Sequence, residues 1–223
     1  MNLGSILLNC ELIIYYLGSK VIAMETVKIG NQEWSTLNLN VDRFNNGDLI
    51  PEVKTGEEWQ KYSIKKQPAW CFYDNNPEYG DKFGRLYNWH AVIDPRGIIP
   101  DGWHIPSSQE FELLVIFLGG QLNFDEKANF DASKKLKSTT EWITKKWIGN
   151  NKSGFNGLPA GLRNYAGCDM KLGLFGVWWS KTDDGQEWAW KMELNSGQKY
   201  NGFSLIQKSS TASGYSIRYL RNI

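Results

Sequence analysis

The chain is poor in the residues on which several chemistries depend. Its 223 residues include three cysteines and two histidines. Cys10, Cys71 and Cys168 are widely spaced and odd in number, so they supply neither a disulfide framework nor a CxxC metal or redox motif. His90 and His104 are too few for a three-histidine metal centre. Each stands beside a tryptophan, where a core imidazole with one nitrogen bonded to backbone is expected. Charge of one sign is lacking as well: 25 Lys and Arg face 24 Asp and Glu, a net charge of +1, so no whole-molecule field recruits nucleic acid or an anionic membrane. No run of about 18 apolar residues occurs, which excludes a spanning helix. Gly-x-Ser-x-Gly, P-loop and HExxH motifs are absent too.

Aromatics, by contrast, are abundant: 11 Trp, 10 Tyr and 10 Phe make up 14% of the chain. The 22 glycines exceed the roughly 7% of an average protein, giving a globular but loop-rich composition. A domain of this kind needs large side chains to pin long loops, and each buried aromatic removes about 150–250 Å² from water.

Residues 1–24 are apolar, but Glu11 interrupts them and no Lys or Arg precedes their hydrophobic part, as a standard secretory signal requires. Ser5 to Cys10 has the outline of a lipoprotein cleavage site, with Asn9 in place of the small residue. The expectation is an N-terminal extension, either a non-standard signal or a mis-assigned start upstream of Met24, followed by one domain over 25–223.

Within that domain, Val27 to Trp34 reads as a strand with a turn at Gly30-Asn31, and Thr55 caps a short helix. Ala69 to Tyr73 suits a buried strand, while Gly84 to Val92 fits strand or helix equally. Ser107-Ser108-Gln109-Glu110 is a capping box, followed by Phe111, Leu114, Val115 and Leu118 on one helical stripe that Gly119-Gly120 ends. A second helix covers part of Ala128 to Lys137, with Lys134, Lys135 and Lys137 on its polar surface. Beyond Trp142 the pattern is antiparallel β. Trp188, Trp190, Met192 and Leu194 share one strand face, with Ala189, Lys191 and Glu193 on the other. Tyr215, Ile217 and Tyr219 alternate with Ser216, Arg218 and Leu220 in a last strand. Helices grouped early and strands grouped late make an α+β fold.

Several segments together resemble the Fibrobacter succinogenes major paralogous domain, a bacterial family of the C-type lectin-like superfamily. They are Ile29 to Trp34 with Leu37 to Asn40; Ala69 to Tyr73; Gly84 to Val92; Pro100 to Pro106; Lys135 to Ser138; Ser153 to Gly161; Val177 to Ser180; and Gly214 to Arg218. The resemblance implies a C-type lectin-like fold, with two helices flanking small antiparallel sheets and long irregular loops carrying whatever is bound. It also implies a secreted or cell-envelope protein, and it carries no settled activity.

The chemistries of that superfamily find little support in the residues. Calcium-dependent sugar binding uses Glu-Pro-Asn or Gln-Pro-Asp and Trp-Asn-Asp tripeptides, none of which is present. The oxygen-rich stretch Asp74 to Asp81 has its glycine misplaced for an EF-hand loop, so a solvated turn is expected. Copper-dependent formylglycine chemistry needs a cysteine pair near the C-terminus, and only Cys168 follows Cys71. Cys71 lies between Trp70 and Phe72, surroundings that leave a thiol inert. The six lysines from Lys134 to Lys152 are expected to be a solvated face rather than a nucleic-acid site. Four basic residues and no acid follow Glu193, a mild bias toward an acidic partner surface.

The expected function is therefore a non-enzymatic binding module without metal or cofactor, monomeric, taking a carbohydrate or a protein surface. Its candidate ligand-binding residues are Trp178, Trp179, Asp183, Asp184, Trp188, Asn195, Lys199, Tyr200 and Asn201. Trp34, Trp70, Trp89 and Trp103 are assigned to the core. Trp178 and Trp179 point to opposite faces of a strand, so one is expected in the core and the other at a binding platform. Rigid rings flanked by amides give contact area at low entropy cost. A purely structural domain, or a glycan-active enzyme using Asp183, Asp184 and Glu187, are the alternatives.

Overall fold

A computed structural model describes residues 10–17, 20–121, 126–143, 148–196 and 204–223. The first sheet grows from the turn at Gly30-Asn31, which joins β2 (Lys20–Ile29) to β3 (Gln32–Ser35) with Ile29 opposite Gln32. Gly30 has φ 62°, the sign that a two-residue hairpin turn requires and that a side chain resists. The strand β1 (Cys10–Leu17) pairs with β2 along its whole length, and β12 (Leu220–Asn222) pairs with β3 on the far side, giving the order β1-β2-β3-β12.

Local sequence signals account for the helices. In α1 (Gly56–Ile64) the Thr55 hydroxyl accepts from the Glu58 N–H, and buried Trp59 donates to the Ala212 carbonyl at 2.7 Å. The helix α2 (Pro77–Phe83) starts at the Asn76 cap with proline in its first turn, so it takes up most of the stretch read as a solvated turn. The ambiguity of Gly84 to Val92 resolves into both structures: β5 (Leu86–Asn88) passes directly into α3 (Trp89–Val92). Asn88 makes the switch, accepting from the Ala91 and Ala69 N–H groups while its amide donates to the Gln67 carbonyl. The strand read over Ala69 to Tyr73 shortens to β4 (Trp70–Cys71), because Asp74 at φ 55° turns the chain into a single 3₁₀ turn over Tyr73–Asn75.

The helix α4 (Ser108–Phe117) carries the expected capping box, Ser107 accepting from the Glu110 N–H and Glu110 from the Ser107 N–H. Phe111, Leu114, Val115 and Leu118 are buried, and Gly119 at φ 90° follows the helix end. Ser107→Ala is expected to cost about 1 kcal/mol, read as a lower denaturant midpoint with an unchanged slope. The last helix is α5 (Glu126–Leu136).

A five-stranded sheet has the order β4-β5-β11-β6-β7, with β6 at Leu162–Arg163, β7 at Asp169–Met170 and β11 at Gly214–Tyr215. A third sheet, order β10-β9-β8, combines β8 (Phe175–Asp183), β9 (Trp188–Asn195) and β10 (Ser204–Ser210). All pairings within the sheets are antiparallel, and with five α-helices among the described residues the fold is α+β.

The third sheet divides the core. On one face Val177, Trp179 and Ala189 pack with Tyr87, Trp89 and Tyr215. On the other, Trp178, Met192 and Leu194 pack with Trp34, Phe111 and Phe155 beneath α4 and α5. The final strand read over Tyr215 to Leu220 is not one strand. The chain leaves β11, bridges Trp178 through Ser216, and reaches β12 with every residue from 215 to 220 buried.

Candidate functional site

The resembling motifs converge inside the protein rather than at its surface. Arg218 is wholly buried and lies among carbonyl oxygens: Nε donates to Asn38 Oδ1 at 2.7 Å, Nη1 to the Ser35 and Phe155 carbonyls, and Nη2 to the Asn156 carbonyl at 3.0 Å. Its guanidinium also faces the Phe155 ring at 4.8 Å. Burial pushes its pKa down to about 9, which leaves it cationic at neutral pH. Asn38 joins the same junction, accepting from Trp178 Nε1 and donating to the Phe83 carbonyl and Ser216 Oγ. Segments near residues 38, 155, 178 and 218 are thereby tied together by hydrogen bonds, which marks this motif set as architecture.

The two adjacent tryptophans depart from expectation. They do occupy opposite faces of β8, but both faces are covered, and Trp178 and Trp179 are each 0% exposed. Both indole N–H groups are satisfied, Trp178 by Asn38 and Trp179 by the Tyr87 carbonyl at 2.8 Å. Neither is a platform. Asn195 is buried as well, and its carbonyl accepts from Lys137 Nζ. Lys199, Tyr200 and Asn201 lie outside the described residues.

The remaining three candidates do come together, where β8 turns into β9. Asp183, Asp184 and Trp188 are exposed there, Trp188 by 49%. Two residues along the same strand face stands half-buried Trp190, which the register places directly opposite Lys208 of β10. The Lys208 ammonium lies 5.9 Å from the Trp190 ring centre and 3.1 Å from Asp184 Oδ2. Desolvation opposes ionisation of Asp184, but the Lys208 ammonium and nearby backbone N–H groups outweigh it and hold the carboxyl below its ordinary range. The result is a small ledge of two indoles bordered by a lysine–aspartate pair. Trp190 and Lys208 were not among the sequence candidates. The Trp188-x-Trp190 alternation signalled the first, whereas the second depends on cross-strand register.

On the opposite face of β9, Lys191 and Glu193 are buried. They form a closed ion pair, to which Gln207 Nε2 adds a 3.4 Å contact with Glu193. Tyr215 lies under the Lys191 ammonium and shares a 2.6 Å hydrogen bond with Ser209. Neither charge is left for acid–base work. Three of the four C-terminal basic residues are likewise engaged, Arg218 in the core, Arg221 on Glu33 and Lys208 on Asp184, and the fourth, Lys199, lies outside the described residues.

Elsewhere, His104 Nε2 lies 2.6 Å from Glu110 Oε1, a carboxylate partner where a backbone one was expected. Burial lowers the His90 pKa, with Lys66 adding to the shift, and burial raises that of the Cys71 thiol far above its ordinary value. Among the described residues no three His, Cys, Asp or Glu side chains assemble into a metal site. No described helix is long and apolar enough to cross a membrane.

A model of the Fibrobacter succinogenes major domain matches residues 27–221. The chain belongs to this family. The match takes in the last three residues of β2, all of β3 and the first two residues of β12, and the Arg218 junction and the Trp188 ledge fall within it. No curated protein matches the chain. Membership in the Fibrobacter succinogenes major domain family therefore accounts for the architecture and leaves the ligand to be argued from the ledge.

Proposed function

We propose that this Fibrobacter succinogenes major domain is a non-enzymatic, C-type lectin-like binding module that takes a carbohydrate on the Trp188–Trp190 ledge. The observation that carries the reading is the exposure of Trp188. Every other tryptophan of the described residues is buried except Trp190, its half-buried neighbour on the same strand face. An indole left in water beside paired charges offers what a sugar ring needs: a flat apolar surface for its C–H face and fixed donors and acceptors for its hydroxyls. The layout of α4 and α5 packed against a three-stranded sheet supports the lectin-like placement.

Glycoside hydrolysis needs two carboxyl groups in separate protonation roles, and the ion pair with Lys208 withdraws Asp184 from the acid role. A glycan array probed with wild type, Trp188→Ala and Lys208→Ala is the test. Binding by wild type that falls at least tenfold in Trp188→Ala, with unchanged near-ultraviolet circular dichroism, is expected. No glycan binding by wild type rejects the carbohydrate reading. Glycan hydrolysis that vanishes in Glu187→Gln overturns the non-enzymatic one.

A further inference from the structure

The hairpin β1–β2 runs past the sheet that anchors it. Thr26 to Ile29 pair with β3, and Glu25 accepts one more bond from the Thr36 N–H. Among the described residues, β2 has only β1 beside it from Lys20 to Met24, and β1 has no strand on its outer side from Cys10 to Leu17. Each open edge is a row of backbone donors and acceptors.

Natural edge strands are guarded by lysine, proline, bulges or brevity. The outer strand reads Cys-Glu-Leu-Ile-Ile-Tyr-Tyr-Leu over eight residues, with Glu11 its only charge and neither lysine nor proline. Its pairing with β2 steps evenly from Cys10 opposite Val27 to Leu17 opposite Lys20, without a bulge. Leu12 to Leu17 also lack any polar–apolar alternation, so the sequence assigns this ribbon no water-facing side. Two strands alone are marginal in water. Lipid could cover apolar residues but supplies no backbone hydrogen bonds, so an open edge calls for another strand.

We propose that a second copy of this chain supplies it, β1 pairing antiparallel with β1 across a two-fold axis perpendicular to the sheet. That symmetry keeps each residue on the same face in both copies, so pairs form only between positions of equal parity, centred on Ile13 or on Ile14. Either register extends the four-stranded sheet without interruption through both copies. The strand suits this self-pairing, because its one charge lies near an end and its middle is uncharged throughout. The isologous contact makes the protein a dimer in place of the monomer expected from the sequence.

Sedimentation equilibrium of the full chain, read with Leu12→Lys/Ile14→Lys and Leu12→Glu/Ile14→Glu, tests this. In either register these pairs set like charges opposite one another. Wild type is expected at twice the chain mass, each double variant at the chain mass, and their equimolar mixture at twice the chain mass again, with near-ultraviolet circular dichroism unchanged. Recovery on mixing is not produced by damage to the fold. Where a variant does not fold, hydrogen exchange of the wild type decides: protection of the β1 amides that rises with protein concentration supports pairing, and protection independent of it overturns pairing. A wild-type monomer well above micromolar concentration, whether or not it binds neutral phosphatidylcholine vesicles, or variants that remain dimeric, also overturns the proposal.

Discussion

Arg218→Leu is expected to lower stability by about 3–5 kcal/mol, a large share of the roughly 5–15 kcal/mol that holds an ordinary domain folded. The guanidinium serves four oxygens at once: Asn38 Oδ1 and the carbonyls of Ser35, Phe155 and Asn156. Leucine fills much of the volume but donates nothing, and each buried acceptor stripped of its donor costs about 1–3 kcal/mol. Asn38 keeps the Trp178 N–H, so its loss is partial. The backbone carbonyls are the dominant cost, since those of Phe155 and Asn156 belong to a loop that has no ladder to fall back on. Arg218→Lys is expected to recover less than half of the loss, because one ammonium on a flexible stem cannot span acceptors arranged around a planar fork. Urea unfolding monitored by tryptophan fluorescence measures both. A shift below 1 kcal/mol for Arg218→Leu would show that water or loop movement replaces the guanidinium, and that the junction is not what ties the motif segments together.

The same junction shows which parts of the structure were legible in the sequence. Signals acting within a few residues carried over: the Thr55 and Ser107 caps, the stripe of α4 and the turn at Gly30 are decided by neighbours along the chain. The alternation rule placed Trp178 and Trp179 on opposite faces, and they are. What it could not reveal is that a second layer covers each face, because burial of both sides depends on where α4, α5 and the segment 215–219 return in space. The same blindness made Lys137 look solvated, since charge in a sequence implies water unless a partner or a carbonyl is brought in from far along the chain. At the ledge, Trp188 was legible as one of two alternating indoles. Lys208 was not, because its place opposite Trp190 follows from the pairing of β10 with β9 across the intervening connection.

Lys137 leads to the second large effect, a rise of stability with pH. It lies just beyond the last turn of α5, 1% exposed, with Nζ 2.5 Å from the Asn195 carbonyl and 4.7 Å from the Trp142 ring centre. Burial pushes its pKa down to about 7, from 10.5 for a lysine in water. Between those two values the unfolded chain holds a proton that the folded protein has released. Stability therefore increases as pH rises from about 7 toward 10.5, by at most about 1.4 kcal/mol per pH unit, and falls as pH drops back through 7. Below pH 7 both states are protonated and the slope vanishes, with the cost of the buried charge fully present. Lys137→Met gives up the bond to Asn195 but has no charge to bury, so it is expected to match or exceed wild type at pH 7 and to fall behind by pH 9. Melting temperatures of the two proteins recorded from pH 6 to pH 9 should therefore cross. Because Arg218 is common to both, its own response to alkali cancels in the difference. Parallel curves would mean that Lys137 keeps its proton when folded, held by the Asn195 carbonyl and the Trp142 ring strongly enough to offset its removal from water.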